Sequence, residues 1–137
     1  MDPTIWGPGT WTFLHSAALS YPVEPDYMDK KRYSEFFHIL QYVLPCPDCQ
    51  QHYRQNLKRH PIQLNSRDEL VSWVVTIHNE VNRINGKHLW SLDEFYNHYR
   101  TLYSSETQDY SKYVLPMLAL LILFIIYYWR KKINPPF

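Results

Sequence analysis

Cysteine is nearly missing from this 137-residue chain, which holds only Cys46 and Cys49. Two cysteines cannot build the multi-bridge framework of a small secreted scaffold. An excess of charge of one sign is lacking too. Fourteen Lys and Arg stand against 13 Asp and Glu, so nothing in the balance argues for nucleic acid. No alternating strand pattern with turn signals appears, and no internal repeat. The start, Met1-Asp-Pro-Thr-Ile-Trp, has neither the basic end nor the apolar run of a signal peptide. What remains is a chain with room for one all-α domain and little else. Aromatics, at 17% of residues, suit a compact core around a flat ligand or a membrane-interface belt.

Apolar spacing predicts the helices. Trp11, Leu14, His15 and Ala18 fall at i, i+3, i+4 and i+7, which predicts a first helix over 9–20, ended by Tyr21-Pro22. A second runs from Asp29 to Val43 on a stripe of Tyr33, Phe36, Phe37, Leu40 and Val43, and Pro45 stops it. The third carries the cysteines and continues to Arg59, where His60-Pro61 closes it. Ser66-Arg67-Asp68-Glu69 is a capping-box pattern that opens a fourth helix through Trp73, Ile77 and Val81, with Gly86 placed to end it. Ser91-Leu92-Asp93-Glu94 repeats the pattern and opens a shorter fifth helix through Leu102. Short connections fold four such helices most simply as a bundle, the fifth being an addition.

The far end differs in composition. Residues 1–103 form the predicted domain, 104–112 (SSETQDYSK) a polar linker, 113–129 a membrane anchor and 130–137 a basic tail. Val114 to Trp129 is uncharged, but as a helix it spans only ~24 Å against a hydrocarbon core of about 30 Å. Tyr113, Tyr127, Tyr128 and Trp129 can sit at the interfaces while Lys112 and Arg130 snorkel, which lengthens the span. The expectation is a single-pass, C-terminal transmembrane helix. Arg130, Lys131 and Lys132 would hold that end cytoplasmic, whereas an anchor with no signal peptide leaves the domain there, so orientation stays open.

Chemistry concentrates at Leu44-Pro45-Cys46-Pro47-Asp48-Cys49. Pro47 suits the first turn of a helix, which puts Cys46 at the helix mouth and Cys49 one turn in. Unpaired N–H groups there lower a thiol pKa, so a reactive dithiol is expected. Half of a zinc site with His52 and another His is the alternative, but a second ligand pair at regular spacing is missing. A thioredoxin-like motif would need strands that the sequence does not offer. On the fourth helix, His78 and Asn82 share a face with Asn79 beside them, and Gly86-Lys87 follows. A lone His there reads as core; with two Asn and a Lys it reads as a lining for a polar, anionic ligand. Glu80 is expected on the other, solvated face. His15 shares a stripe with Trp11 and can stack on a flat heterocycle.

Trp6-Gly7…Trp11…Leu14-His15, then Pro45-Cys46-x-x-Cys49, then His78-Asn79-x-Val81-Asn82 with Gly86-Lys87 resemble the ALR/Erv FAD-linked sulfhydryl oxidases over residues 4–100. The resemblance implies a four-helix bundle plus a short fifth helix clasping FAD at one end. Cys46–Cys49 would be the disulfide against the isoalloxazine ring. Gly7, Trp11 and His15 would contact the flavin, and His78, Asn79, Val81 and Asn82 the adenosine part. Lys87 would meet the pyrophosphate and Trp90 would pack near adenine. It implies disulfide formation in protein thiols, with electrons passing through Cys46–Cys49 to FAD and then O2, giving hydrogen peroxide. No metal is implied. The chain departs from cellular relatives at Pro8-Gly9-Thr10, where a basic residue is common, and at Leu44, where an aromatic is common. It also has no shuttle cysteine pair. The compact two-cysteine form is similar to members encoded by large DNA viruses. Implied partners are protein thiols or a cysteine-bearing shuttle protein and a second copy of the chain, held non-covalently. The implied location is a host or virion membrane.

Overall fold

The structure, a computed structural model, describes residues 1–106 and 111–133. All regular structure among them is helical: α1 (Pro3–Leu19), α2 (Tyr27–Val43), α3 (Pro47–Arg59), α4 (Arg67–Ile84), α5 (Leu92–Glu106) and α6 (Ser111–Ile133).

Caps set most of the boundaries. Ser66 Oγ accepts the Glu69 N–H at 3.2 Å and Ser91 Oγ accepts the Glu94 N–H at 3.2 Å, as their sequence patterns predict. Glu94 returns the bond to the Ser91 N–H at 2.8 Å, completing the box. Two helices begin earlier than apolar spacing predicts. Asp2 caps α1 through the Thr4 N–H at 2.9 Å, with Pro3 in the first turn. Asp26 and Asp29 form a reciprocal box that starts α2 at Tyr27. At the other end of α4, Gly86 adopts φ 62°, the left-handed turn that ends a helix cheaply only at glycine.

The chain forms two units, Met1–Asn97 and His98–Phe137. In the first, α1 packs on α4, α2 on α3, and α3 on α4. Helix α4 contributes most to the core, burying Leu70, Val71, Trp73, Val74, Val75 and Ile77. Leu14 and Ala18 meet that core from α1, Phe37 from α2 and Tyr53 from α3. Each large apolar side chain so buried contributes about 1.5–3 kcal/mol. Phe37 sets its edge against Trp73 at 5.1 Å, and the Tyr53 hydroxyl donates to the Phe37 carbonyl at 3.0 Å. Trp73 Nε1 donates to the His60 carbonyl at 2.8 Å, fastening the end of α3 to α4.

In the second unit, the predicted polar linker is helical through Glu106, and residues 107–110 lie outside the described residues. Helix α6 contains Lys112–Arg130, 19 residues of mean hydropathy 1.8 with none buried. By length and composition that stretch suffices to cross a membrane. Part of the predicted basic tail, 130–133, continues α6, and 134–137 lie outside the described residues.

Candidate functional site

Cys46 is the N-cap of α3. Its Sγ accepts the Cys49 N–H at 3.2 Å, the place usually taken by a Ser or Asp oxygen. Both thiols are free and half-buried. They differ as acids. Hydrogen bonds from the Cys49 thiol and its backbone N–H hold the Cys46 pKa below the ordinary thiol value. Burial first, then the bond to Cys46, push Cys49 up to about 11. In the reduced protein the charge therefore resides on Cys46 and the proton on Cys49. The junction around them is braced, because Gln50 Nε2 donates to the carbonyls of Leu44 at 2.7 Å and Tyr42 at 3.2 Å.

A second cluster forms between α1 and α4. The Trp11 ring stacks on His78 with centroids 4.0 Å apart and planes 13° from parallel. His78 Nδ1 lies 3.2 Å from Nε2 of buried His15, and Phe95 sets its edge against His15 at 5.0 Å. Burial, with Lys87 adding repulsion, lowers the His78 pKa to about 4. His78 is therefore neutral at pH 7. Gly7 precedes Trp11 by one turn, and a Cβ placed there would meet nothing within 4 Å.

The loop after α4 completes this cluster. Asn79 exchanges two hydrogen bonds with the main chain of Trp90, each 2.8 Å. Asn82 Nδ2 donates to the His88 carbonyl at 2.9 Å. Lys87 is exposed on this loop, Trp90 is half-buried, and Val81 is half-buried on α4. Glu80 departs from expectation. Only 14% of its side chain is exposed, and it pairs with Arg59 at 3.4 Å, His60 at 3.8 Å and Arg83. It is a joint between α3 and α4 rather than a solvated charge. Sequence spacing could not reveal this, since Arg59 and His60 lie about twenty residues away in the chain. An open groove of about 560 Å³ beside it, lined by Arg59, His60, Trp73 and Thr76 among others, holds none of the nominated site residues.

The zinc reading finds no group of three such ligands among the described residues. A flavin fits the donor set better. Flat aromatic faces at Trp11 and Trp90, a neutral imidazole at His78 and a cation at Lys87 match a planar heterocycle joined to a pyrophosphate. Trp6 Nε1 is in addition a buried donor with no partner among the described residues.

A dithiol with unequal sulfurs, built on the same small helical frame as such a wall, defines a thiol oxidoreductase that works through a flavin. Comparison with known proteins narrows this. Residues 8–100 match the Erv1 / Alr family. The probable FAD-linked sulfhydryl oxidase of Acanthamoeba polyphaga mimivirus is 43% identical over 97 residues, 69% of this chain and 68% of its own. That of an African swine fever virus isolate is 32% identical over 96 residues, covering 79% of its length. The Arabidopsis thaliana enzyme is 41% identical over 81 residues, and the match spans only 42% of its length. The FAD binding domain of Erv1 from Saccharomyces cerevisiae superposes with a TM-score of 0.67 at 32% identity, over 69% of this chain and 90% of that one. The chain belongs to the Erv1 / Alr family and is an FAD-linked thiol oxidase.

Proposed function

We propose that the chain forms disulfides in protein thiols at Cys46 and Cys49, beside an FAD site bounded by Gly7, Trp11, His15, His78, Asn79, Val81, Asn82, Lys87 and Trp90. The observation that carries this is the inequality of the two sulfurs at the mouth of α3. A client thiolate attacks Sγ of Cys46 in the oxidised pair, the Cys46–Cys49 bond breaks, and Cys49 leaves with the electron pair. Sulfur in a mixed disulfide carries no charge, so the hydrogen bond and repulsion from Cys46 that raise Cys49 vanish and only burial remains. A second client thiol then displaces Cys46, and the client leaves as a disulfide. Bound FAD supplies the two-electron oxidation that restores the pair and passes the electrons to O2 as hydrogen peroxide.

Helix α6 supports a membrane anchor on its length, hydropathy and exposure, and viral relatives suggest a host or virion membrane as its setting. Exposed Phe13 (61%), Ile39 (49%) and Val43 (59%) on α1 and α2 support a homodimer. It is non-covalent, since both cysteines are committed. The deciding experiment is trapping. Cys49→Ser should accumulate a reducible covalent adduct with its client, because Cys46 can capture but not release it. Cys46→Ser should capture little. Equal adducts on non-reducing gels, or adducts from Cys46→Ser alone, would overturn the assigned roles.

A further inference from the structure

Asn79 and Asn82 stand three residues apart on α4, and both direct their amides at the main chain of the loop that follows. Asn79 Nδ2 donates to the Trp90 carbonyl at 2.8 Å while its Oδ1 accepts the Trp90 N–H, also at 2.8 Å. That closed pair of bonds fixes one peptide position from both sides. Asn82 Nδ2 donates to the His88 carbonyl at 2.9 Å, and the Asn82 carbonyl accepts the Lys87 N–H at 2.8 Å. Gly86, at φ 62°, makes the reversal that lets the chain run back along α4. Residues 87, 88 and 90 are thus each tied to α4 without any ladder of regular structure.

We propose that Asn79 and Asn82 are positioning residues, which clamp a preformed lip so that Lys87 and Trp90 meet the cofactor in place. The inference rests on the FAD site described above and assigns those two asparagines a role within it. A side-chain amide suits the task because it carries a donor and an acceptor in one plane, matching the two groups of a peptide. A lip ordered beforehand spares the cofactor the cost of ordering it on binding. Asn79 carries the double bond, and Asn82, 5% exposed, carries a donor that an aspartate cannot replace.

The test uses the full chain, loaded with FAD in detergent. FAD release is followed by flavin fluorescence, and kcat and KM are measured on a small dithiol at saturating FAD, for Trp90→Ala, Asn79→Ala, Asn79→Asp and the double Ala variant. Asn79→Ala should weaken FAD binding about tenfold or more. Asn79→Asp keeps the acceptor and loses the donor, so it should fall between wild type and Asn79→Ala. In the Trp90→Ala background, loss of Asn79 should cost much less than it does alone, because the side chain it places is already gone. At saturating FAD, kcat and the flavin absorption band should stay as in wild type. Losses that multiply in the double variant, or an altered band in FAD-saturated Asn79→Ala, would mean that the amide touches the cofactor and the clamp fails. If Trp90→Ala alone retains FAD like wild type, the site itself is misplaced and the clamp falls with it. Asn79→Asp folds without a cavity, so the cycle can be repeated on it should Asn79→Ala not fold.

Discussion

At the scale of single residues, position in one helical turn turns two chemically identical thiols into different acids. Cys46 receives the hydrogen bonds and Cys49 is buried. In the reduced enzyme, alkylation followed by mass spectrometry should modify Cys46 first, with a half-rate pH below the ~8.5 of an ordinary thiol. Cys49 should lag until the solution approaches its pKa of about 11. Replacing Cys46 by Ser should lower the Cys49 value, since part of the shift comes from Cys46. Equal labelling at neutral pH would sink the assignment. His78 gives a second prediction. Its pKa falls from an unfolded value of 6.5 to about 4 in the fold, so the unfolded chain binds the extra proton between these limits. Stability should therefore drop as pH falls through that window, and His78→Asn should flatten the drop in thermal unfolding. An unchanged slope would show that His78 is not desolvated.

At the scale of elements, what is local was legible and what is distant was not. The caps at Ser66 and Ser91 can be read because donor and acceptor lie three residues apart. Asp2 and Asp26 are equally local, yet apolar spacing alone starts those helices late, since the first turns of α1 and α2 are exposed. The stripe through Leu14, His15 and Ala18 marks the buried face of α1 because burial follows helical periodicity. The amide bonds of Asn79 and Asn82 were not legible, because their partners are backbone atoms of an irregular loop. Nor was the joint at Glu80. Its carboxyl is held below the usual range, chiefly by its hydrogen bond with Arg83 and then by Arg59 and His60. Each such pair is worth about 0.2–1 kcal/mol. Glu80→Gln should therefore lower the melting temperature by a few degrees at pH 7, given about 4–8 °C per kcal/mol in a domain of this size. Because the carboxyl is depressed in the fold, its contribution is present above the unfolded pKa and vanishes as pH falls through the folded one. The two proteins should thus converge in acid. Identical melting at neutral pH would return Glu80 to the solvent.

At the scale of the whole molecule, the chain divides into a compact unit that holds every nominated site residue, Met1–Asn97, and a second that contains α6. A protein ending near Ser111 should therefore stay flavinated and oxidise a small dithiol at the full rate, while the complete chain partitions into detergent or vesicles. Loss of flavin on truncation, or a full-length protein that stays monomeric in plain buffer, would contradict that division. The cysteine count then limits the client. With Cys46 and Cys49 alone, nothing in this chain can collect electrons at a distance and relay them inward. Every client thiol must reach Sγ of a half-buried Cys46 at the mouth of α3. A small dithiol can do so, and so can a cysteine on an extended segment. A thiol recessed in a folded protein cannot approach in line without unfolding locally, and its rate then falls with the population of the open form. Initial rates on a small dithiol, on an unfolded reduced protein and on the same protein folded with its thiols reduced should descend in that order. Adding a small cysteine-bearing shuttle protein should restore the folded client's rate, because the shuttle reaches both partners in turn. A folded client oxidised directly as fast as its unfolded form would mean that the dithiol is far more open than this helix mouth allows.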